Sequence, residues 1–229
     1  MNPKISIGIP CYNQGQYLSQ AVESVLEQTL KSYEIIICND GSTDNSLQVA
    51  KSYENVGVKI INQVNKGLAS ARNTILMNST GDWLLFLDAD DMFLENCLEK
   101  ISEAIERNPD ADIIAPSLKN FGINNQPVVL MPNPTLEDFK TGNRIGYFSA
   151  IRRSKLLEIG GYNPKMSWGF EDYDIWFDLL KRGAKLITLP DILILYRVKK
   201  DSMVIEAFKH QEELMAQIKK NHPEVYGAK

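Results

Sequence analysis

Trp83-Leu84-Leu85-Phe86-Leu87-Asp88-Ala89-Asp90-Asp91 holds five apolar residues followed at once by three carboxylates. The apolar run is too short for a globular helix, and its unbroken hydrophobicity reads as a strand buried on both faces. Asp88 and Asp90 stand two positions apart, so they share a face wherever strand geometry persists. Paired oxygen ligands without a neighbouring Cys or His suit a hard divalent cation such as Mn²⁺ or Mg²⁺. The same carboxylates also suit a solvated acidic loop that caps a core strand. The flanking sequence has to separate these two readings.

Outward from this strand the chain alternates. Ile5-Ser6-Ile7-Gly8-Ile9, ended by Pro10, predicts a first strand. From Tyr17, apolar pairs at helical spacing predict a helix. Glu34–Cys38 predicts a second strand that runs into Asn39-Asp40-Gly41-Ser42-Thr43-Asp44, a turn followed by a helix over 47–53. A third strand over 58–61 and a third helix over 68–78 lead to the Trp83 strand, and another amphipathic stretch covers 94–107. Four strand–helix alternations imply an α/β fold with a mostly parallel central sheet flanked by helices. Ligands in such sheets bind beyond the carboxyl ends of the strands. Tyr12, Asp40 and the Asp88/Asp90 pair all follow such ends, so they are expected to line one crevice.

The rhythm breaks after Ile113-Ile114. Residues 120–134 read as a long irregular loop, Tyr147–Ile151 as a strand and Ser154–Ile159 as a short helix. A helix is expected from Glu171-Asp172 to Arg182, followed by strands over 185–189 and 192–196. Ser202 is expected to cap one final helix over 202–221. The chain thus divides into a first half (1–110) of alternating strands and helices and a second, less regular half (111–229) of the same domain.

Composition narrows the function classes. With 229 residues, 44% hydrophobic content and a net charge of −4, the chain has a soluble domain's profile and no basic stripe, so nucleic acid is not an expected partner. No apolar run approaches a membrane span, and Lys4 passes directly into a strand without a signal peptide's apolar core, which predicts a cytoplasmic protein. Cys11, Cys38 and Cys97 are isolated and odd in number, as expected of reduced thiols. His210 and His222 are expected as solvated helix residues.

The crevice residues share a chemistry. Tyr12 offers a flat face for a base, and Asp40 can accept from a ring N–H. Asn65-Lys66-Gly67 precedes a helix N-terminus that suits an anion, and Arg72 adds a fork for phosphate or carboxylate. Base, phosphate and cation together describe a nucleotide. Neither G-x-G-x-x-G after the first strand nor a P-loop is present, which removes dehydrogenase and P-loop readings.

Pro10-Cys11-Tyr12-Asn13, Asn39-Asp40-Gly41-Ser42-Thr43-Asp44, Asn65-Lys66-Gly67, Ala71-Arg72-Asn73, Asp88-Ala89-Asp90, Gly160-Gly161-Tyr162 and Glu171-Asp172 occur in the order and spacing of glycosyltransferase family two. The chain resembles that family over roughly residues 4–203. The resemblance implies a GT-A fold, the nucleotide-diphospho-sugar transferase fold, and an inverting transfer of sugar from a UDP donor to a hydroxyl of a glycan or lipid-linked acceptor, in the synthesis of a cell-surface polysaccharide or glycan. It implies a donor site of Pro10, Tyr12, Asn13, Asp40, Asn65, Gly67, Arg72 and Asp88, and a Mn²⁺ or Mg²⁺ ion on Asp90 with Asp88. Asp172 would be the general base, with Glu171 as its alternative. Peripheral contact with the inner membrane face is compatible with these partners, and no motif encodes an oligomeric state. A non-catalytic nucleotide-sugar-binding module and a nucleotidyltransferase of similar fold are the rival readings.

Two departures stand out. Asn39 replaces a more usual acid before Asp40. Tyr196-Arg197-Val198-Lys199 stands where the family often has Tyr-Arg-x-His, so a lysine takes the place of a histidine that can complete a metal site. A protonated ammonium cannot ligate a metal, and at ~5 Å with an effective dielectric of ~20 it would repel a divalent ion by roughly 6 kcal/mol. Lys199 is therefore expected on the donor's diphosphate, or else pointing into solvent.

Overall fold

A computed structural model describes residues 2–200 and 203–227. One nine-stranded sheet runs through both halves of the chain. Its first elements are β1 (Ile5–Cys11), helix α1 (Gly15–Leu26), β2 (Glu34–Asp40), α2 (Ser46–Lys51), β3 (Lys59–Gln63), α3 (Leu68–Asn78) and β4 (Trp83–Phe86). The strands β3, β2, β1 and β4 lie side by side and parallel, as the alternation predicts. All seven residues of β1 are buried between β2 and β4. Gly8 is a position of close approach between β1 and α3. A Cβ there would stand 2.6 Å from Ile75 and 2.9 Å from Phe86, so only glycine lets that helix seat on the strand. Leu18, Ala21, Val22 and Val25 form the buried stripe of α1 at the spacing of one helical face.

Beyond β4 come β5 (Met92–Phe93), α4 (Cys97–Arg107), β6 (Ile113–Gly122), β7 (Pro127–Val128), α5 (Leu136–Phe139), β8 (Ala150–Arg152) and α6 (Arg153–Glu158). The chain then forms α7 (Glu171–Lys181), β9 (Leu186–Val198), α8 (Met203–Lys209) and α9 (Gln211–Asn221). Here the sheet turns mixed. Strand β8 is antiparallel to β4 and β6, β9 is parallel to β6, and the two-residue β5 closes the far edge antiparallel to β9.

Several local expectations change. The stretch 120–134 is not all irregular, because β6 continues to Gly122 and pairs with β7. The two strands expected over 185–196 are one strand, β9. Pro190 and Asp191 bulge out between Leu189, which faces Pro116, and Ile192, which faces Ser117, and the Ser117 hydroxyl donates to the Leu189 carbonyl across 2.9 Å. A bulge is where a strand tolerates proline. Strand β8 begins only at Ala150. The single final helix is two, divided at His210, and Ser202, its expected cap, lies outside the described residues. The three cysteines are free and buried.

His222 corrects its expected role. It is 1% exposed, and its Nε2 lies 2.9 Å from Asp174 Oδ1. Its Nδ1 lies 3.1 Å from the Lys181 ammonium, which can only donate, so Nε2 carries the proton given to Asp174. Asn221 Nδ2 donates to the same carboxylate at 2.8 Å. This buried network ties the end of α9 to α7, the helix that carries Glu171 and Asp172. His210 is half-buried and stacks on Trp168, ring centroids 4.6 Å apart.

Candidate active site

Two cavities of about 450 Å³ each open at the carboxyl ends of the parallel strands, and Leu68, Asp88 and Tyr196 form walls of both.

The first is lined by Pro10, Tyr12, Asp40, Asn65, Gly67, Asp88, Asp90, Arg197 and Lys199, among others. The crevice expected from the topology is therefore present, and Tyr12 is half exposed, with its ring free for a planar ligand. Asp40, at the end of β2, is held by three donors. Its Oδ1 accepts from Gln63 Nε2 at 2.6 Å and from the Lys66 amide at 2.9 Å, and its Oδ2 accepts from the Gly67 amide at 2.9 Å. The loop reaches it because Gly41 (φ +70°) lets the Asn65 amide pass where a Cβ would stand 2.5 Å away. Carboxylate oxygens offer about four acceptor sites, so one remains for a ligand N–H.

The rest of the Asn39–Asp44 segment is structural. Asp44 Oδ2 and Ser46 Oγ accept from the amides of Gly15 and Gln14, both at 3.0 Å, and so satisfy donors at the start of α1. Asn13 is not among the lining residues. Its side-chain carbonyl accepts from the Thr43 amide at 2.8 Å, and its own amide donates to Ser42, so its part is to lock two loops together.

Asp88, Asp90 and Asp91 part company after β4. Asp91 is buried. It accepts from the Tyr147 hydroxyl and from the Arg197 amide at 2.6 Å, and burial beside Asp90 and Asp88 raises its pKa. Asp90 turns to the Lys199 ammonium, and Arg197 Nε donates to the Asp90 carbonyl at 2.7 Å. Asp88 takes Arg72 Nη2 at 2.9 Å. Burial, opposed by Arg72, pushes its pKa up to about 6.

Arg72 is fully buried, its guanidinium between Asp88 and Glu171 and against the rings of Tyr147 (4.8 Å), Phe86 and Tyr162 (5.6 Å each). The fork expected on phosphate or carboxylate thus engages two carboxylates inside the protein. It neutralises two acids that would otherwise repel each other.

The second cavity is lined by Lys140, Thr141, Gly142, Asn143, Glu171, Asp172 and by residues of α8 and α9, among others. Glu171 is tied to Arg72, whereas Asp172 has no ion-pair partner among the described residues. Asp172 accepts from Asn143 Nδ2 at 3.1 Å and from the Tyr173 amide at 2.8 Å. Burial and the adjacent Glu171 charge raise its pKa to about 7, against the opposing pull of Arg72. Phe170, which precedes Glu171 and caps α7, adopts φ +61°, a left-handed conformation that is strained for an aromatic residue and fixes the angle at which α7 enters the cavity.

The donor set does not fit a ready-made divalent site. Asp90 is paired with an ammonium, Asp88 with a guanidinium, and among the described residues no three His, Cys, Asp or Glu side chains gather where they could hold an ion. Sequence reasoning missed Asp91, Tyr147, Tyr196 and Asn143 as parts of the site. Asp91 had a signal in its place in the acidic run, and Tyr196 had one as the first residue of Tyr196-Arg197-Val198-Lys199.

Comparison with known proteins finds likeness in both sequence and fold. The sequence pattern described as Glycosyl transferase family 2 matches residues 6–174. Glycosyltransferase GlyG of Streptococcus pneumoniae is 35% identical over 230 residues, covering 91% of this chain and 75% of that protein. The Escherichia coli UDP-Glc:alpha-D-GlcNAc-diphosphoundecaprenol beta-1,3-glucosyltransferase WfgD is 30% identical over 217 residues, covering 90% and 81%. S. aureus TarS residues 1–349, solved in complex with UDP-GlcNAc, superimposes with a TM-score of 0.76 at 18% identity, covering 96% of this chain and 72% of that one.

Proposed function

We propose that this chain, which belongs to glycosyl transferase family 2 and has that family's GT-A fold, transfers a sugar with inversion from a UDP-linked donor to an acceptor hydroxyl. The observation that carries the reading is the pair of adjoining cavities. One gathers Tyr12, Asp40, Asn65, Gly67 and Lys199, the other presents the Asp172 carboxylate of raised pKa, and Asp88 stands in the wall of both.

In the first cavity the base stacks on Tyr12 and its ring N–H donates to Asp40. The rigid Asp40 carboxylate, held by three donors, needs no reorganisation to receive it. Asn65 and Gly67 lie along the ribose and phosphate side. The sugar lies toward Asp88, whose remaining oxygen can accept from a sugar hydroxyl while Arg72 holds the carboxylate in place. The acceptor enters the second cavity. Asp172 takes its hydroxyl proton as the oxygen attacks the anomeric carbon opposite the departing diphosphate. A pKa near 7 suits that role, since the group is ionised enough to accept a proton and basic enough to hold it. Glu171, the alternative base, is committed to Arg72, and this supports Asp172.

The acceptor is a glycan or lipid-linked hydroxyl, a reading supported by the diphosphoundecaprenol acceptor in WfgD's name. Among the described residues no helix is long and apolar enough to cross a membrane. The donor class is tested by thermal stabilisation against UDP-, GDP-, CDP- and dTDP-sugars. UDP compounds should raise the melting temperature and the others should not. A shift with GDP-sugars alone would replace the uracil assignment.

A further inference from the structure

Asp90 and Lys199 face each other in the wall of the nucleotide cavity, from the β4–β5 turn and the end of β9. About a fifth of each side chain is exposed (19% for Asp90, 20% for Lys199), so the pair is reachable from the cavity yet largely shielded from solvent. The ammonium also takes Gln14 Oε1 at 3.2 Å and lies 5.1 Å from the centroid of the Tyr17 ring. Arg197, the neighbouring cation, is directed elsewhere. It bonds the Asp90 carbonyl and Gln20 and packs on the faces of Tyr17 and Phe121. Lys199 is therefore the cation that answers the Asp90 charge.

Resting on the donor reading above, we infer that Lys199 is the resident counter-cation of this site. UDP binds without a divalent metal, and a metal reaches Asp90 only by displacing Lys199. The chemistry is that of an ammonium with three donors on a flexible four-carbon stem. It can bridge Asp90 and a phosphate oxygen at once, which a metal ligand in its place could not do without the ion. A divalent cation would have to compete with a bonded, partly desolvated ammonium for a single carboxylate, with the second aspartate already engaged by Arg72.

The test is calorimetric titration of the full chain with UDP, in EDTA and in Mn²⁺, for wild type, Lys199→Ala and Lys199→His. Wild type should bind UDP with affinities within about threefold in the two buffers, and Lys199→Ala should lose about tenfold or more in EDTA, the scale of one charge-assisted hydrogen bond. Mn²⁺ should restore much of that loss in both variants, because Asp90 is then unpaired. In the absence of nucleotide, electron paramagnetic resonance should show weaker Mn²⁺ binding by wild type than by Lys199→Ala, a readout that involves no turnover. Wild-type binding that disappears in EDTA, or Lys199→Ala binding equal to wild type in EDTA, would overturn the inference while leaving the donor assignment intact. Failure of UDP to bind in either buffer would overturn both.

Discussion

Asp172→Asn removes one ionisable oxygen and keeps the shape of the α7 N-terminus, including an acceptor for the Tyr173 amide. If Asp172 is the base, the loss is that of a positioned general base, about 10²- to 10⁴-fold in turnover, or roughly 3–5 kcal/mol of barrier. The pKa adds a second signature. With a value of about 7, roughly a tenth of Asp172 is ionised at pH 6 and roughly nine-tenths at pH 8, so the wild-type rate should climb about tenfold between them. The residual rate of Asp172→Asn should be flat over that interval. Glu171→Gln removes the charge that helps raise the Asp172 pKa and leaves Arg72 more strongly attracted to Asp172, so its rate midpoint should move to lower pH. The assay is UDP release from a UDP-sugar, with water as acceptor, between pH 5 and 9. UDP affinity measured in parallel should not change, because Asp172 lines the other cavity. An Asp172→Asn enzyme within about threefold of wild type, with the same pH profile, would refute the reasoning and point to Glu171.

Asp40→Ala should weaken UDP binding by roughly 1–3 kcal/mol in calorimetry, since it also frees the loop at Lys66-Gly67; unchanged affinity would remove Asp40 from the donor site. Arg72→Met leaves Asp88 and Glu171 without their shared cation and should cost roughly 3–5 kcal/mol of stability, seen as a lower denaturation midpoint; a midpoint near wild type would show that the two acids do not depend on it. Asp172→Asn should melt higher than wild type above pH 7. The folded pKa of about 7 lies above the ordinary 3.8, so the fold favours the protonated acid, and the cost of ionising it grows as pH rises through that interval. Calorimetric scans at pH 4 and pH 8 should therefore give nearly equal melting temperatures at the lower pH and a gap at the higher one; an equal gap at both would mean that ionisation is not its source.

The parallel half of the fold was legible because its signals are local. A strand covered on both faces is a continuous apolar run, as at Trp83–Leu87, and the order of strands and helices then dictates that Tyr12, Asp40 and Asp88 end together. What pairs with those carboxylates was not legible. Glu171 and Arg72 are 99 positions apart and leave no periodic trace, so the fork of Arg72 read as open to phosphate or carboxylate, and which acids of the chain it pairs with was hidden. His222 read as solvated because it lies in the far C-terminal segment, whereas it is buried against Asp174 on another helix. Pro190-Asp191 read as a break between strands because proline stops most of them, and only the partner strand β6 shows that the ladder resumes. Asn13 carries a motif position yet acts on the backbone of the Thr43 loop, a division of labour that spacing alone cannot reveal.

Proton NMR of UDP-sugar turnover by the purified chain, with water as acceptor, reads the stereochemistry of transfer and the bond that is cleaved. From an α-linked UDP-hexose, the account predicts free β-hexose as the first-formed anomer, ahead of mutarotation, with one equivalent of UDP and loss of both signals in Asp172→Asn. The α-anomer first would contradict inversion by a single displacement. UMP together with hexose 1-phosphate would show attack at phosphorus instead of the anomeric carbon, and the chain would then not be acting as a glycosyltransferase.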